Sequence, residues 1–326
     1  MTSHLSSYFL LSTSFENEAR DSRLTPLGWY DDGDVGRITG TNDGNAKRRE
    51  RTAVSRPWNL RGPAAFNSLF LQERLLLPFV DVTLRYILND NAICILSNVA
   101  DNNFKTVISK MQIGVSRYKL ANSVKLAIER NLAAGHDAIY SFRQPLTRIF
   151  SIPAGAVEHE AINIFNNMKV PNVCFVALVP TANLHGSYAT NPYDFRPLNL
   201  KNIKISFGGQ CFPDYSGIRL NYNGTHPDWT QGYISLLQKE FLANSGIYAK
   251  YADYIYGKTT YCFMFNDPRS LSFTNYKPRT RSAEGRLSLV FEAGNNNPNL
   301  SALFFSLTDE QVRISSERQV SKGFIS

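Results

Sequence analysis

The residues of this chain that could do acid–base, thiolate or metal chemistry are five histidines, four cysteines and one acidic cluster. His4, His136, His159, His185 and His226 would be the imidazoles for a metal ion or a general base. No two of them stand four residues apart or alternate along one strand, the spacings that bring two rings to one ion. Glu158-His159-Glu160 is not the HExxH zinc pattern, and a loop or surface position is expected for each histidine. Cys94, Cys174, Cys211 and Cys262 are widely separated with no CxxC pair. Three lie in apolar strand-like runs, AICIL, VCFVAL and TTYCFMF, so buried free thiols are expected. Asp31, Asp32 and Asp34 around Gly33 offer hard oxygen ligands but lack the alternating spacing and closing Glu of a calcium loop, and a solvated acidic loop is expected. No GxSxG elbow, P-loop or GxGxxG turn occurs, and Phe207-Gly208-Gly209-Gln210 reads as a two-glycine hairpin turn. No catalytic residue, cofactor site or metal site is assigned, and the chain is not expected to be an enzyme. The enzyme alternative is a hydrolase, for example, with His159 or His226 as its base.

Charge and aromatic content narrow the binding classes. The formal charge of +8 is balanced over residues 1–60 and modestly positive over 61–150 and 151–326. Only Lys47–Arg51 (KRRER) and Lys277–Arg281 (KPRTR) are dense, and both read as solvated loops beside Gly, Asn or Pro. Without a basic stripe interleaved with stacking rings, no sequence-specific nucleic-acid partner is expected. Hydrophobic residues make up 43% and charged residues 19%, with 16 Tyr and 21 Phe, a composition that excludes wholesale disorder. Most of those rings read as sandwich core, with a surplus for subunit contacts. A rival class is a monomeric β-sandwich that binds carbohydrate, with Trp58, Trp229 and Tyr233 exposed in one groove. The longest apolar run, Val173 to Val179, is far shorter than the ~20 residues of a membrane-spanning helix. MTSHLSSYFLLSTSF lacks a basic start and a full apolar core, so neither a membrane span nor a secretory leader is expected. The sequons at Asn223 and Asn299 read as chance occurrences.

The elements that position these residues are mostly strands. Phe66–Glu73, Phe79–Leu88, Ala92–Leu96 and Lys110–Tyr118 read as strands; in the second, Val80, Val82, Leu84 and Tyr86 alternate with Asp81, Thr83 and Arg85, and in the last, Met111, Ile113 and Val115 alternate with Gln112, Gly114 and Ser116. A helix is expected after Asn122 or Ser123, with Val124, Ala127, Ile128 and Leu132 on one side and Gly135 as its stop. Ala138–Ile152 reads as a strand running into a break at Ile152-Pro153-Ala154-Gly155, and a domain boundary is placed near residue 150. Strands then follow at 172–180, 199–209, 217–222, 259–267, 285–293, 301–309 and 312–315, with one helix from Trp229 to before Gly246. Ser14–Leu24 suggests a short helix, and Gly28–Arg51 reads as a long loop. Many short strands without βα alternation indicate β-sandwiches rather than a parallel sheet.

Several segments, in order, resemble the double jelly-roll, hexon-like major capsid proteins of Maverick/Polinton elements and adintoviruses. They are Asn67–Leu88, Thr147–Val157, His185–Pro213, Gly285–Gly294 and the closing IS-x-x-RQV (Ile314–Val320); HGSYATNPYDFRPLNL (His185–Leu200) is the most specific. The N-terminal Tyr8–Gly33 looks like an internal segment of that family, so the resemblance covers nearly the whole chain. It implies an all-β double jelly roll, and because members carry further chain ahead of this point, an N-terminally truncated copy. Residues 1–150 would then be a partial first jelly roll and 151–326 a complete second. The implied function is that of a structural capsid subunit, forming a homotrimer that tiles an icosahedral shell with penton and minor capsid proteins. The implied location is the virion or, for a degraded endogenous copy, the cell interior without secretion.

Overall fold

The computed structural model describes residues 5–9, 22, 24–39, 43–60, 74–85, 87–99, 104–165, 169–223, 225–236, 249–265 and 283–323. The chain is mostly β, with two five-stranded antiparallel sheets. Its strands are β1 (Ala138–Ile152), β2 (Glu158–Ile162), β3 (Val173–Pro180), β4 (Leu200–Phe207), β5 (Gln210–Phe212), β6 (Ile218–Arg219), β7 (Thr260–Met264), β8 (Arg286–Phe291), β9 (Leu300–Ile314) and β10 (Val320–Gly323). The first sheet runs β1-β9-β3-β7 with β10 beside β9; the second runs β2-β8-β4-β5 with β6 beside β4. The pairing is nested. β1 pairs with β9, β2 with β8, β3 with β7 and β4 with β5. One long hairpin has therefore been folded over so that its arms pass alternately between two sheets, which is the winding of a jelly roll.

The tip of that hairpin is the Phe207–Gln210 turn, where Gly208 and Gly209 both take positive φ, 56° and 75°. Two successive left-handed residues fit the twist of the flanking strands and favour glycine. In the second sheet, one face is apolar and the other wet: Leu287, Leu289 and Phe291 of β8 are buried between exposed or half-buried neighbours. The first sheet is apolar on both faces. Cys174, Val176 and Leu178 of β3 join the core between the sheets, while Val173, Phe175, Ala177 and Val179 join a second cluster on the outer face. Burial on both faces is why VCFVALV reads as an unbroken apolar run.

Sheet one extends beyond the sandwich. β1 and β9 pair over fifteen residues each, but β3 pairs only with Leu300–Leu307 of β9. The far half of the β1–β9 ribbon is instead backed by β10. The strand at 138–152, expected to precede a boundary near residue 150, is thus the first strand of this jelly roll, and the two strands expected at 301–309 and 312–315 are one.

Ahead of Ala138 the outcome differs more. Among the described residues before Ala138, none lies in a strand. Residues 79–85, 87–88 and 110–118 are irregular and largely exposed, and Ala92–Leu96 begins with a short helix, Asn91–Cys94. Alternation fixes a strand only where a partner pairs the backbone and covers the apolar face, and among the described residues these segments have neither. The expected helix is present as Asn122–Ala133, with Gly135 at φ 84° beyond it; Ala121, not Asn122 or Ser123, is its cap residue, and of its apolar positions only Leu132 is buried. KRRER is helical, within Asp43–Thr52, rather than a loop. The helix starting at Trp229 is seen as Thr230–Leu236. Residues 66–73, most of Ser14–Leu24 and KPRTR lie outside the described residues.

Candidate assembly surface

An exposed apolar stretch leads away from the ribbon. Phe79, Ile87, Leu88, Val107, Val115 and Tyr118 are each at least two-thirds exposed, and Val82, Met111 and Ile113 about half. Backbone and side-chain pins hold this stretch to the jelly roll at a few points. Tyr140 on β1 donates its hydroxyl to the carbonyl of Leu75 at 3.0 Å and accepts from the amide of Leu77 at 3.2 Å. Arg74 donates to the carbonyl of Ile139 at 2.8 Å, and Arg318, beyond β9, donates to the carbonyl of Pro78 at 3.2 Å and pairs with Glu129 on the Asn122–Ala133 helix. Burial raises the Tyr140 phenol despite the nearby Arg74 and Arg318, so it stays a neutral donor. At the other end, Tyr188 donates to the carbonyl of Phe104 at 2.9 Å, with the two rings edge-on at 6.2 Å. Tethered but uncovered apolar side chains at this density mark an interaction surface.

The acidic cluster is a clasp, not a solvated loop. Asp31 pairs with Lys258 at 2.6 Å, Asp32 with Arg48, and Asp34 with Arg196 at 2.7 Å; Arg196 also pairs with Asp194 at 2.7 Å. Between these pairs the amide of Val35 donates to the carbonyl of Tyr256 at 3.0 Å, and Asn191 donates to the carbonyl of Val35 at 3.0 Å. Gly257, at φ 92°, lets Val35 and Asp194 approach: a Cβ there would stand 2.6 Å from each. Burial raises the carboxyls of Asp32 and Asp194, against the lowering pull of Arg48 and Arg196 respectively. The acidic loop, with the KRRER helix held to it through Arg48, is thus strapped onto the jelly roll. Lone Asp and Arg residues far apart in sequence gave no sign of this; only the opposite charge of DDGD and KRRER, sixteen residues apart at Asp32 and Arg48, hinted at half of it.

The remaining candidates do not converge. His159 sits mid-strand on β2 opposite Leu289, its imidazole held below the usual range by burial, and His226 lies exposed in the turn before Asp228, where its carbonyl accepts from Asn221. Neither imidazole hydrogen-bonds a carboxylate, Ser or Cys among the described residues. His136 and His185 are exposed, and His4 lies outside the described residues. No group of three or more His, Cys, Asp or Glu side chains that could hold a metal ion occurs among the described residues. Cys174 and Cys262 are buried, Cys211 is half-buried and Cys94 exposed, all as free thiols; burial pushes Cys174 and Cys262 up. Cys94 was expected to be buried and is not, because its segment turns helical rather than joining a sheet. Trp229 stacks with Tyr222 and Tyr251, at 6.3 and 5.5 Å between centroids, and Tyr233 sits edge-on to Tyr251 and Tyr254. Trp229 and Tyr233 pack against the outer-face cluster, which includes Tyr254, and Tyr222 packs against the core between the sheets. Trp58 packs over Gly28 instead, so the three rings of the carbohydrate reading are not brought into one groove. A cavity of about 600 Å³ beside the Thr230–Leu236 helix is lined by Phe212, Ile218, Ile234 and Met264 with the charges of Asp214 and Arg219, and Asp214 is spent capping the amides of Ser216 and Gly217.

No known family profile matches the chain. An uncharacterised protein of Caenorhabditis elegans, F54H12.2, is 24% identical over 240 residues, 72% of this chain and 55% of that protein. The chain therefore spans about half the length of the curated relative it matches. Among solved structures, the mavirus major capsid protein aligns with 57% of this chain and 41% of its own, at 11% identity and a TM-score of 0.27. The Sputnik virophage structure aligns over 58% and 40%, at 11% identity and 0.29, and the PBCV-1 virus capsid over 60% and 54%, at 11% identity and 0.29. No helix among the described residues is long and apolar enough to cross a membrane.

Proposed function

We propose that this chain is a structural capsid subunit of double jelly-roll type, without an active site. In this reading residues 1–150 belong to a first, partial jelly roll and 151–326 to the second, with β1 reaching back to complete the second sandwich. The observation that carries the reading is the set of exposed apolar side chains between Phe79 and Tyr118, tied to a jelly roll of two five-stranded sheets. Covering one such Val, Leu or Phe contributes about 1.5–3 kcal/mol, so a handful covered by a neighbour outweighs the cost of docking. The ordered match of His185–Leu200 and its companions to Maverick/Polinton and adintovirus capsid proteins supports the same assignment and the source in such elements.

The mechanism is geometric. Subunits of double jelly-roll type carry two similar sandwiches, of which the described residues of this chain show one; three such subunits give a trimer of nearly sixfold outline that packs hexagonally, with loops and the exposed stretch as capsomer contacts. Pentons and minor capsid proteins would be its other partners and the virion its location. The test is the solution state. Purified chain should sediment as a trimer, and glycan arrays should show no binding; a glycan-binding monomer would replace this reading.

A further inference from the structure

The KRRER helix carries positive charge that the described part of the chain does not neutralise. Residues 43–56 hold five basic side chains, Lys47, Arg48, Arg49, Arg51 and Arg56, against two acidic ones, Asp43 and Glu50. Arg48 turns toward the jelly roll, where Asp32 takes its charge and Asn45 accepts from it at 2.7 Å. The other four are exposed, and among the described residues no carboxylate pairs with them. Two of these four are held together by a ring. Lys47 and Arg51 lie one turn apart on one side of the helix. The Lys47 ammonium stands 5.6 Å from the centre of the Tyr30 ring, and Arg51 donates from Nε to the Tyr30 hydroxyl at 2.6 Å. The aromatic partner that the basic run lacks in sequence is thus supplied in space. Like charges one turn apart repel; a helix C-terminus favours cations in its last turn, which accounts for Arg51 but not for Lys47.

From this geometry we infer that Lys47 and Arg51, set by Tyr30, form a contact site for the phosphate backbone of duplex DNA that does not read bases. Arg51 keeps its two terminal guanidinium nitrogens free of any other partner among the described residues, the fork that matches phosphate oxygens. Lys47 adds a point charge about 6 Å along the helix axis, within reach of neighbouring phosphates, which step about 3.4 Å along one strand. A membrane surface fits poorly, because Ala46 is the one apolar side chain between Asp43 and Thr52 and an interfacial helix needs an apolar face. Two phosphate contacts make a weak, salt-sensitive bond for one chain, which several copies on one duplex would multiply. The site stands apart from the capsid reading: a monomer that holds DNA here would remove that reading and leave this one, and a trimer that does not would do the reverse.

Isocratic retention of the full chain on densely loaded double-stranded DNA–cellulose tests it, read as the slope of log retention against log salt between about 50 and 200 mM. Lys47→Gln with Arg51→Gln should make that slope shallower by about 1.8, two contacts at about 0.9 each. Arg49→Gln with Lys201→Gln removes the same charge from the opposite side of the helix and from β4, and should keep the wild-type slope. Lys47→Arg with Arg51→Lys keeps both charges and should restore most of the retention, which a merely structural role of the pair would not require. Equal slopes in the two glutamine variants would reduce the effect to net charge and overturn the site, as would wild-type chain that passes unretained at about 50 mM salt. Polyglutamate that elutes the chain as well as free duplex does, charge for charge, would overturn the assignment to phosphate. Circular dichroism on each variant checks that it folds.

Discussion

At the residue scale, burial sorts the aromatic and charged side chains into two groups with opposite expectations. Phe9 is fully buried and Phe79 is 88% exposed. Phe9→Ala should cost about 3–5 kcal/mol by urea unfolding, as for other buried rings. Phe79→Ala should leave the isolated subunit within about 0.5 kcal/mol and show its effect only on self-association. Equal effects on unfolding would mean that the exposed stretch is already covered within one chain. Arg196 bridges Asp34 and Asp194, with about three-tenths of its side chain accessible. Arg196→Met removes the guanidinium that bridges Asp34 and Asp194 and should loosen the strap by about 1–3 kcal/mol. Limited proteolysis should then cut within residues 24–60 while the strands stay intact; an unchanged cleavage pattern would show that the backbone bonds at Val35 hold the strap unaided.

At the element scale, the hairpin tip is the clearest case of local chemistry fixing topology. Gly208→Ala with Gly209→Ala places two side chains at positive φ, at about 1–2 kcal/mol each, and should lower the unfolding midpoint without altering the strand content measured by circular dichroism. The second half of the chain was legible for the same reason. Leu287, Leu289 and Phe291 alternate, Phe207-Gly208-Gly209-Gln210 can only turn, and every strand there finds a partner within the chain. The first half was misread because Val82, Leu84, Met111, Ile113 and Val115 carry the same period without a partner, and periodicity records what a segment could bury, not what covers it. The continuity of β9 was hidden by Thr308, Asp309 and Glu310, polar residues that look like a turn but lie on the ribbon beyond β3. The distant pairs of the clasp, Asp31–Lys258 and Asp34–Arg196, were illegible, since they meet only after the jelly roll has closed.

At the scale of the whole molecule, the chain joins a closed sandwich, whose two sheets cover each other, to a strapped and pinned first half with apolar side chains left facing out. In the proposed capsid reading the sandwich is satisfied within the chain and the outward stretch is covered by neighbouring subunits. Charge placed on the outward stretch should separate the two. Val82→Lys with Val115→Lys should abolish self-association while the sandwich unfolds at an unchanged denaturant midpoint; a lowered midpoint would place those residues in the subunit's own core. The most direct test of the capsid assignment is the mass of the wild-type chain in solution by multi-angle light scattering. A trimer, three times 36.7 kDa, is expected, and a single species at 36.7 kDa across micromolar concentrations would contradict the capsid assignment.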